Sequence, residues 1–307
     1  MATRQIAFLY PGQGSQHAGM GAELLADAEV AELARRCSVD VNLRHLLTEA
    51  DDEELKLTEN AQPALCFTGI ALTLLLRRNG IEPAATAGHS VGEYVALAAA
   101  GAIEPEDAVA TVVERGHAMA EAVPAGETGL SAVLGLDPEA VVKAIGPIDE
   151  CWPANYNTPT QTVIGGTLKA LDEAARALKE AGARRVVSLN VSAAFHTPVV
   201  APAAERLRHR LDAVSWRQPD RPVMSNLSGS PYPPDAQFPD SLERQLKSPV
   251  RWSDCVNALH EQGVTDFVEV GPKRALSGML RELVPRASAH SVASPAAAED
   301  VAARLIQ

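Results

Sequence analysis

The pentapeptide Gly88-His89-Ser90-Val91-Gly92 is the only Gly-x-Ser-x-Gly in the chain. It follows a short strand-like run at residues 85–87 and precedes an alanine-rich helical run at 93–100. A serine on so sharp a strand-to-helix turn needs glycine beside it, because the backbone passes close to its neighbours there. The turn also sets the side chain at the start of a helix, where N–H groups and the positive dipole end face a developing oxyanion. Such an elbow belongs to α/β architecture, and it makes Ser90 the candidate nucleophile.

The rest of the chain supports that frame. Ile6-Ala7-Phe8-Leu9-Tyr10 reads as a first strand and ends in the glycine-rich turn Pro11-Gly12-Gln13-Gly14-Ser15-Gln16. Helical patterns cover about 19–37 and 60–79. Pro105-Glu106-Asp107 opens a further helix to about 122, since proline and acids suit a helix N-terminus. Between about 128 and 191 the rhythm changes. A strand at 131–136, a helix at 138–145, two strands within 152–166, a helix at 171–183 and a strand at 185–191 follow one another. The order β-α-β-β-α-β matches the ferredoxin-like unit. Beyond it come a helix at about 199–213, a strand at 222–226 and a proline-rich loop at 231–239. A helix near 252–262, a strand at 266–270 and a last helix to about 283 complete the pattern. The expected fold is an α/β-hydrolase-like large domain with a mainly parallel sheet, residues 1–127 and 192–307, interrupted by a ferredoxin-like small domain, residues 128–191.

Charge and composition narrow the function classes. The 307 residues carry a net charge of -12, which disfavours a nucleic-acid surface. No run of about 18 apolar residues is present, so a membrane span is not expected. The N-terminus lacks the charged region and apolar core of a signal peptide. Cys37, Cys66, Cys151 and Cys255 lie far apart, as reduced thiols of a cytoplasmic protein would. The histidines show no metal-ligand spacing. A monomer without metal or redox cofactor is expected.

A serine hydroxyl needs a base. Eight histidines are available: His17, His45, His89, His117, His196, His209, His260 and His290. Composition does not choose among them. His89 is too close along the chain to turn easily onto its neighbour's hydroxyl. His196 begins a new element just after the inserted unit, which makes it attractive, although a lone histidine is more often structural.

Seven short motifs then occur in one order: Gly12-Gln13-Gly14-Ser15-Gln16, Gln62-Pro63-Ala64-Leu65, Gly88-His89-Ser90-Val91-Gly92-Glu93, Arg115-Gly116 with Met119, Ala194-Phe195-His196, Ser248-Pro249-Val250-Arg251-Trp252 and Glu269-Val270-Gly271-Pro272. The order resembles the malonyl-CoA:acyl carrier protein transacylases and the acyltransferases of polyketide synthases, over residues 5 to 283 or so. The resemblance implies the two-domain fold already read from the pattern. It implies that Ser90 takes an acyl group from a coenzyme A thioester, in fatty-acid or polyketide synthesis, and passes it to the phosphopantetheine thiol of an acyl carrier protein. His196 would be the base, and the N–H groups of Gln13 and Val91 the oxyanion hole. Arg115 would grip the free carboxylate of a malonyl group, a match of guanidinium fork to carboxylate that lysine cannot reproduce. Gln62, Asn157 and Phe195 would line the acyl site. Ala-Phe-His resembles the ending of the malonyl-selective motif, and a ring at Phe195 would leave less room for a branch methyl. Ala193 departs from the histidine usual at that motif's first position.

A hydrolase-type triad would place an acid between Ser90 and His196, and none stands out. The resemblance implies instead a main-chain carbonyl near Arg251 orienting the imidazole. Carrier proteins are generally acidic, so a basic docking face is expected, formed by Arg206, Arg208 and Arg210 or by Lys273 and Arg274. Two other activities fit the same motifs: transfer of a larger acyl group between carrier proteins, and editing hydrolysis of acyl thioesters. Arg115 argues against the second.

Overall fold

Four short parallel strands form the central sheet of the protein. In the computed structural model, which describes residues 4–124 and 126–306, β1 (Ile6–Tyr10) lies between β2 (Ala85–Gly88) and β7 (Asp266–Val270), with β8 (Ser288–Val292) outside β7. All three pairings are parallel. Parallel strands buried on both faces read as continuous apolar runs, and β1 illustrates it. Phe8 and Tyr10 face one core with Phe67, Leu72 and Tyr94, while Ala7 and Leu9 face the other with Trp252 and Leu259.

Helices cover both faces. The first half supplies α1 (Ala28–Cys37), α2 (Leu43–Thr48), α3 (Thr58–Arg78), α4 (Gly92–Ala99) and α5 (Pro105–Glu121). The amphipathic stripe of a surface helix is absent from α3, which is buried nearly all round and runs through the interior. Gly116 brings α5 against it, for a Cβ there would lie 2.8 Å from Glu59 Cα.

The chain then leaves for a second sheet. It runs β3 (Thr128–Leu134), α6 (Pro138–Ile145), β4 (Cys151–Thr158), β5 (Gln161–Thr167), α7 (Leu168–Glu180) and β6 (Arg185–Leu189). The sheet order is β4-β5-β3-β6, antiparallel throughout, which is the ferredoxin-like arrangement. One face packs Val133 and Ile164 against α6 and α7. The other presents Leu130, Ala132, Ala154 and Val163. A bridge from Asn155 to Val250 ties this sheet to the main body.

The return carries α8 (Ala201–Ala213), α9 (Phe238–Leu246), α10 (Trp252–Glu261), α11 (Ser277–Leu283) and α12 (Pro295–Leu305). Several sequence expectations need correction. The strand expected at 222–226 is reduced to two isolated bridges, Val223 to Thr86 and Met224 to Pro231, the first with hydrogen bonds on either side of it. The helix expected from 19 begins at Ala28, where the Asp27 carboxylate caps the N–H groups of Glu29 and Val30. α2, α9, β8 and α12 were not anticipated. Among the described residues no helix is long and apolar enough to cross a membrane, and all four cysteines are buried free thiols.

Candidate active site

The elbow forms as its glycines require. A Cβ on Gly88 would fall 1.9 Å from the Gly92 carbonyl carbon, and one on Gly92 would fall 2.2 Å from Tyr10 O. Between them Ser90 adopts φ 55°, the left-handed region that a non-glycine residue enters at a cost of about 1–3 kcal/mol. Asn226 holds the turn from outside the motif. Its Oδ1 accepts from Ser90 N at 2.7 Å and its Nδ2 donates to Gly88 O at 2.7 Å.

Ser90 Oγ lies 2.7 Å from His196 Nε2. The other ring nitrogen, Nδ1, is 3.0 Å from Gln245 O. A carbonyl only accepts, so the network assigns the ring proton to Nδ1 and leaves the Nε2 lone pair facing the hydroxyl. Burial and then the Arg115 charge push the imidazole down to about 3, so it rests neutral and ready to accept a proton.

Arg115 reaches the same point from α5. Its Nη2 donates to Ser90 Oγ at 3.1 Å and to Gln245 Oε1 at 3.3 Å, and its Nη1 to Gln62 Oε1 at 2.7 Å. The guanidinium carbon sits 5.7 Å from the Tyr94 ring centroid, a cation–π contact. Arg115 is fully buried, yet every hydrogen-bond acceptor it has among the described residues is neutral, and its Nε has none.

These groups line a cavity of about 210 Å³. Gln13, Val91, Asn157 and Phe195 border it too. The N–H groups of Gln13 and Val91 donate to no other group among the described residues, and Val91 stands at the start of α4. Asn157 Oδ1 pairs with His89 Nε2 at 3.0 Å, which places His89 in the wall, so that His196 is the imidazole bonded to Ser90 Oγ. Leu130 and Val163 from the second sheet and Leu276 and Met279 beside α11 close the space. Glu269 sets the start of α11 by accepting from Leu276 N and Ser277 N at 2.8 and 2.7 Å.

Two expectations fail. Arg251 does not orient His196. Its carbonyl accepts from Cys255 N in the first turn of α10, its N–H donates to Asn226 O, and its guanidinium pairs with Asp254. The orienting carbonyl belongs to Gln245, at the end of α9, where helix carbonyls are free. Nor do Arg206, Arg208 and Arg210 form an open basic face. Arg206 pairs with Glu114 and Glu121, Arg208 with Asp212, Asp240 and Glu243, and Arg210 with Asp107. Lys273 and Arg274 are exposed beside the cavity residues of α11, and neither forms an ion pair among the described residues. Sequence reasoning missed Gln245 and Asn226.

The model of the acyl transferase domain family matches residues 7–305. The chain belongs to the acyl transferase family. A malonyl CoA-acyl carrier protein transacylase of Bacillus subtilis is 44% identical over 301 residues, covering 95% of this acyl transferase and 94% of the relative. The transacylase structure from Coxiella burnetii superposes with a TM-score of 0.94 at 34% identity, covering 99% of each chain. A malonyl-transacylase solved with its type II polyketide synthase carrier protein gives 0.91 at 34% identity, covering 98% of this acyl transferase and 99% of that chain.

Proposed function

We propose that this acyl transferase moves a malonyl group from coenzyme A to an acyl carrier protein through an ester on Ser90. Ser90 Oγ attacks the thioester carbonyl as His196 Nε2 takes its proton. The C–O bond forms, the C–S bond breaks, and the proton passes to the departing thiolate. The phosphopantetheine thiol of the carrier protein then gives its proton to His196 and attacks the ester. The new C–S bond forms and Ser90 recovers its hydroxyl. The N–H groups of Gln13 and Val91, without another partner among the described residues, take the oxyanion in both steps. The named activity of the relatives supports this reading.

The observation that carries the malonyl assignment is Arg115. A buried guanidinium is costly unless paired with an anion; here, 3.1 Å from the nucleophile, its hydrogen-bond acceptors among the described residues are all neutral, and the Glu93 carboxylate acts on it only without a direct bond. A malonyl carboxylate supplies the missing charge. The carrier protein then meets Lys273 and Arg274 at the cavity edge.

Protein mass spectrometry after incubation with malonyl-CoA tests the chemistry. A malonyl increment should map to Ser90, vanish in Ser90→Ala, and be discharged by carrier protein bearing the free thiol. Stoichiometric labelling of Ser90→Ala would sink the assignment.

A further inference from the structure

Behind Ser90 lies a buried polar cluster that the transfer chemistry does not use. Glu93, on the first turn of α4, is fully buried. Its Oε1 accepts from Tyr232 Oη at 2.5 Å and from Asn226 N at 3.2 Å. Its Oε2 accepts from Gln245 Nε2 at 3.0 Å. Gln245, itself buried, bonds to Ser90, His196 and Arg115 alike. Its Nε2 also donates to Ser90 O at 2.9 Å, its Oε1 accepts from Arg115 Nη2, and its main-chain oxygen holds His196 Nδ1.

A glutamine side chain has two chemically distinct ends, and its neighbours decide which way it points. The Glu93 carboxylate and Ser90 O only accept, so both demand Nε2. That leaves Oε1 facing the guanidinium. With the amide turned over, N–H groups would oppose the buried guanidinium of Arg115.

We propose that Glu93, held by Tyr232, is a positioning residue for acyl transfer, fixing the Gln245 side chain and through it the placement of Arg115 beside Ser90. The proposal rests on the roles of Ser90, His196 and Arg115 given above. Its chemistry has a pH signature. Burial pushes the Glu93 carboxyl up to about 7, against the pull of hydrogen bonds from Tyr232, Gln245 and Asn226 and of the Arg115 charge. Apart from the charged Arg115, the titratable groups that act on it stay neutral near that pH. Tyr94 on the same helix, Tyr232 before α9 and the Cys255 thiol on α10 are all raised by burial, and His196 is pushed down to about 3. An acid limb near neutrality therefore belongs to Glu93 and not to the catalytic base.

Single-turnover loading of Ser90 is measured from malonyl-CoA and acetyl-CoA across pH for the unmodified protein, Glu93→Gln and Tyr232→Phe. In Glu93→Gln one end of the new amide meets Gln245 and the other must oppose the Asn226 N–H. Malonyl loading should fall about 10- to 100-fold, acetyl loading should fall less, and the acid limb should vanish. Tyr232→Phe keeps the carboxylate but removes a hydrogen bond that stabilises its charge, so the limb should move to higher pH. An unchanged malonyl-to-acetyl ratio in Glu93→Gln, or a limb that Tyr232→Phe leaves in place, overturns the positioning role. If Glu93→Gln does not fold, as judged by circular dichroism, the Tyr232→Phe profile decides alone. Absence of any malonyl label on Ser90 in the unmodified protein would instead sink the underlying chemistry.

Discussion

Arg115 offers the sharpest test because the structure isolates what its charge does. The guanidinium donates to Gln62 Oε1, Ser90 Oγ and Gln245 Oε1, all neutral, with Gln62 and Gln245 buried beside it. In Arg115→Ala a bound malonyl carboxylate would be left unpaired in a largely desolvated cavity. Leaving one partner of such a pair alone costs roughly 2–5 kcal/mol. At about 1.36 kcal/mol per tenfold, that is a loss of roughly 30- to 5,000-fold in kcat/KM for malonyl-CoA. Arg115→Lys keeps the charge but not the fork, and cannot hold Gln62 and Gln245 while meeting a carboxylate. Losing one charged hydrogen bond should cost it roughly 1.5–3 kcal/mol. Acetyl-CoA has a methyl group where malonyl-CoA has its carboxylate, so its loading should change far less. The assay is single-turnover labelling of Ser90 by each ester, and the ratio of the two rates is the readout. It cancels any general damage to the site, including release of Gln245. A malonyl-to-acetyl ratio that stays the same in Arg115→Ala would refute the idea that this cation exists to bind the substrate's carboxylate.

Charge reversal separates the two basic stretches. Lys273→Glu with Arg274→Glu should raise the KM for carrier protein at low salt and leave loading from malonyl-CoA nearly unchanged, whereas reversing Arg206, Arg208 and Arg210 should chiefly lower the melting temperature, because their partners are carboxylates of the same chain. Phe195→Ser should raise methylmalonyl-CoA loading relative to malonyl-CoA, the extra methyl being worth about 1–3 kcal/mol in a pocket, as a competition between the two esters would reveal. His196 ties pH to stability. Its imidazole is held well below the usual 6.5, so its contribution is complete above that value and is lost as pH falls towards about 3. Relative to His196→Gln, the unmodified protein should lose about 2 kcal/mol between pH 7 and pH 5 in denaturant titrations.

Local pattern carried most of the fold. The elbow, the ferredoxin-like order and strand β7 were all legible, because period and punctuation report backbone geometry directly. α9 was not, although it begins on the same proline-acid signal, Pro239-Asp240, that gave α5 away at Pro105-Glu106. The proline-rich stretch before it masked that start, and with it went Gln245. α12 was missed for a similar reason. Ser294 caps it and Pro295 opens it, but five of its eleven residues are alanine, on both its buried and its open face, which blurs the apolar stripe. Asn226 could not be found from spacing at all, because it meets Ser90 across 136 positions of chain. Ser90 and His196 were within reach since each sits in a short motif, but the carbonyl that orients His196 was placed six positions too late, at Arg251.

The end of α9 also accounts for the missing acid. In a serine–histidine pair the third group must fix the tautomer and favour the imidazolium that forms in the transition state. A carboxylate does both with a full charge. Here the last carbonyls of a nine-residue helix do the work. Gln245 O accepts from His196 Nδ1 at 3.0 Å, and Leu246 O accepts from His196 N at 3.1 Å. The second bond holds His196 in a left-handed backbone, φ 61°, and so aims the ring. The first places it at the negative end of the helix dipole, which favours a cation by up to about 2 kcal/mol in partly buried geometry. Arg115 opposes that cation from the other side. The balance keeps the resting imidazole neutral, as a general base must be, while the helix end offers partial negative charge once the proton arrives. A full carboxylate at this position would also attract Arg115 and compete with a malonyl group for its fork. In the proposed reaction a pair of helix carbonyls would orient the base and leave the guanidinium for the substrate.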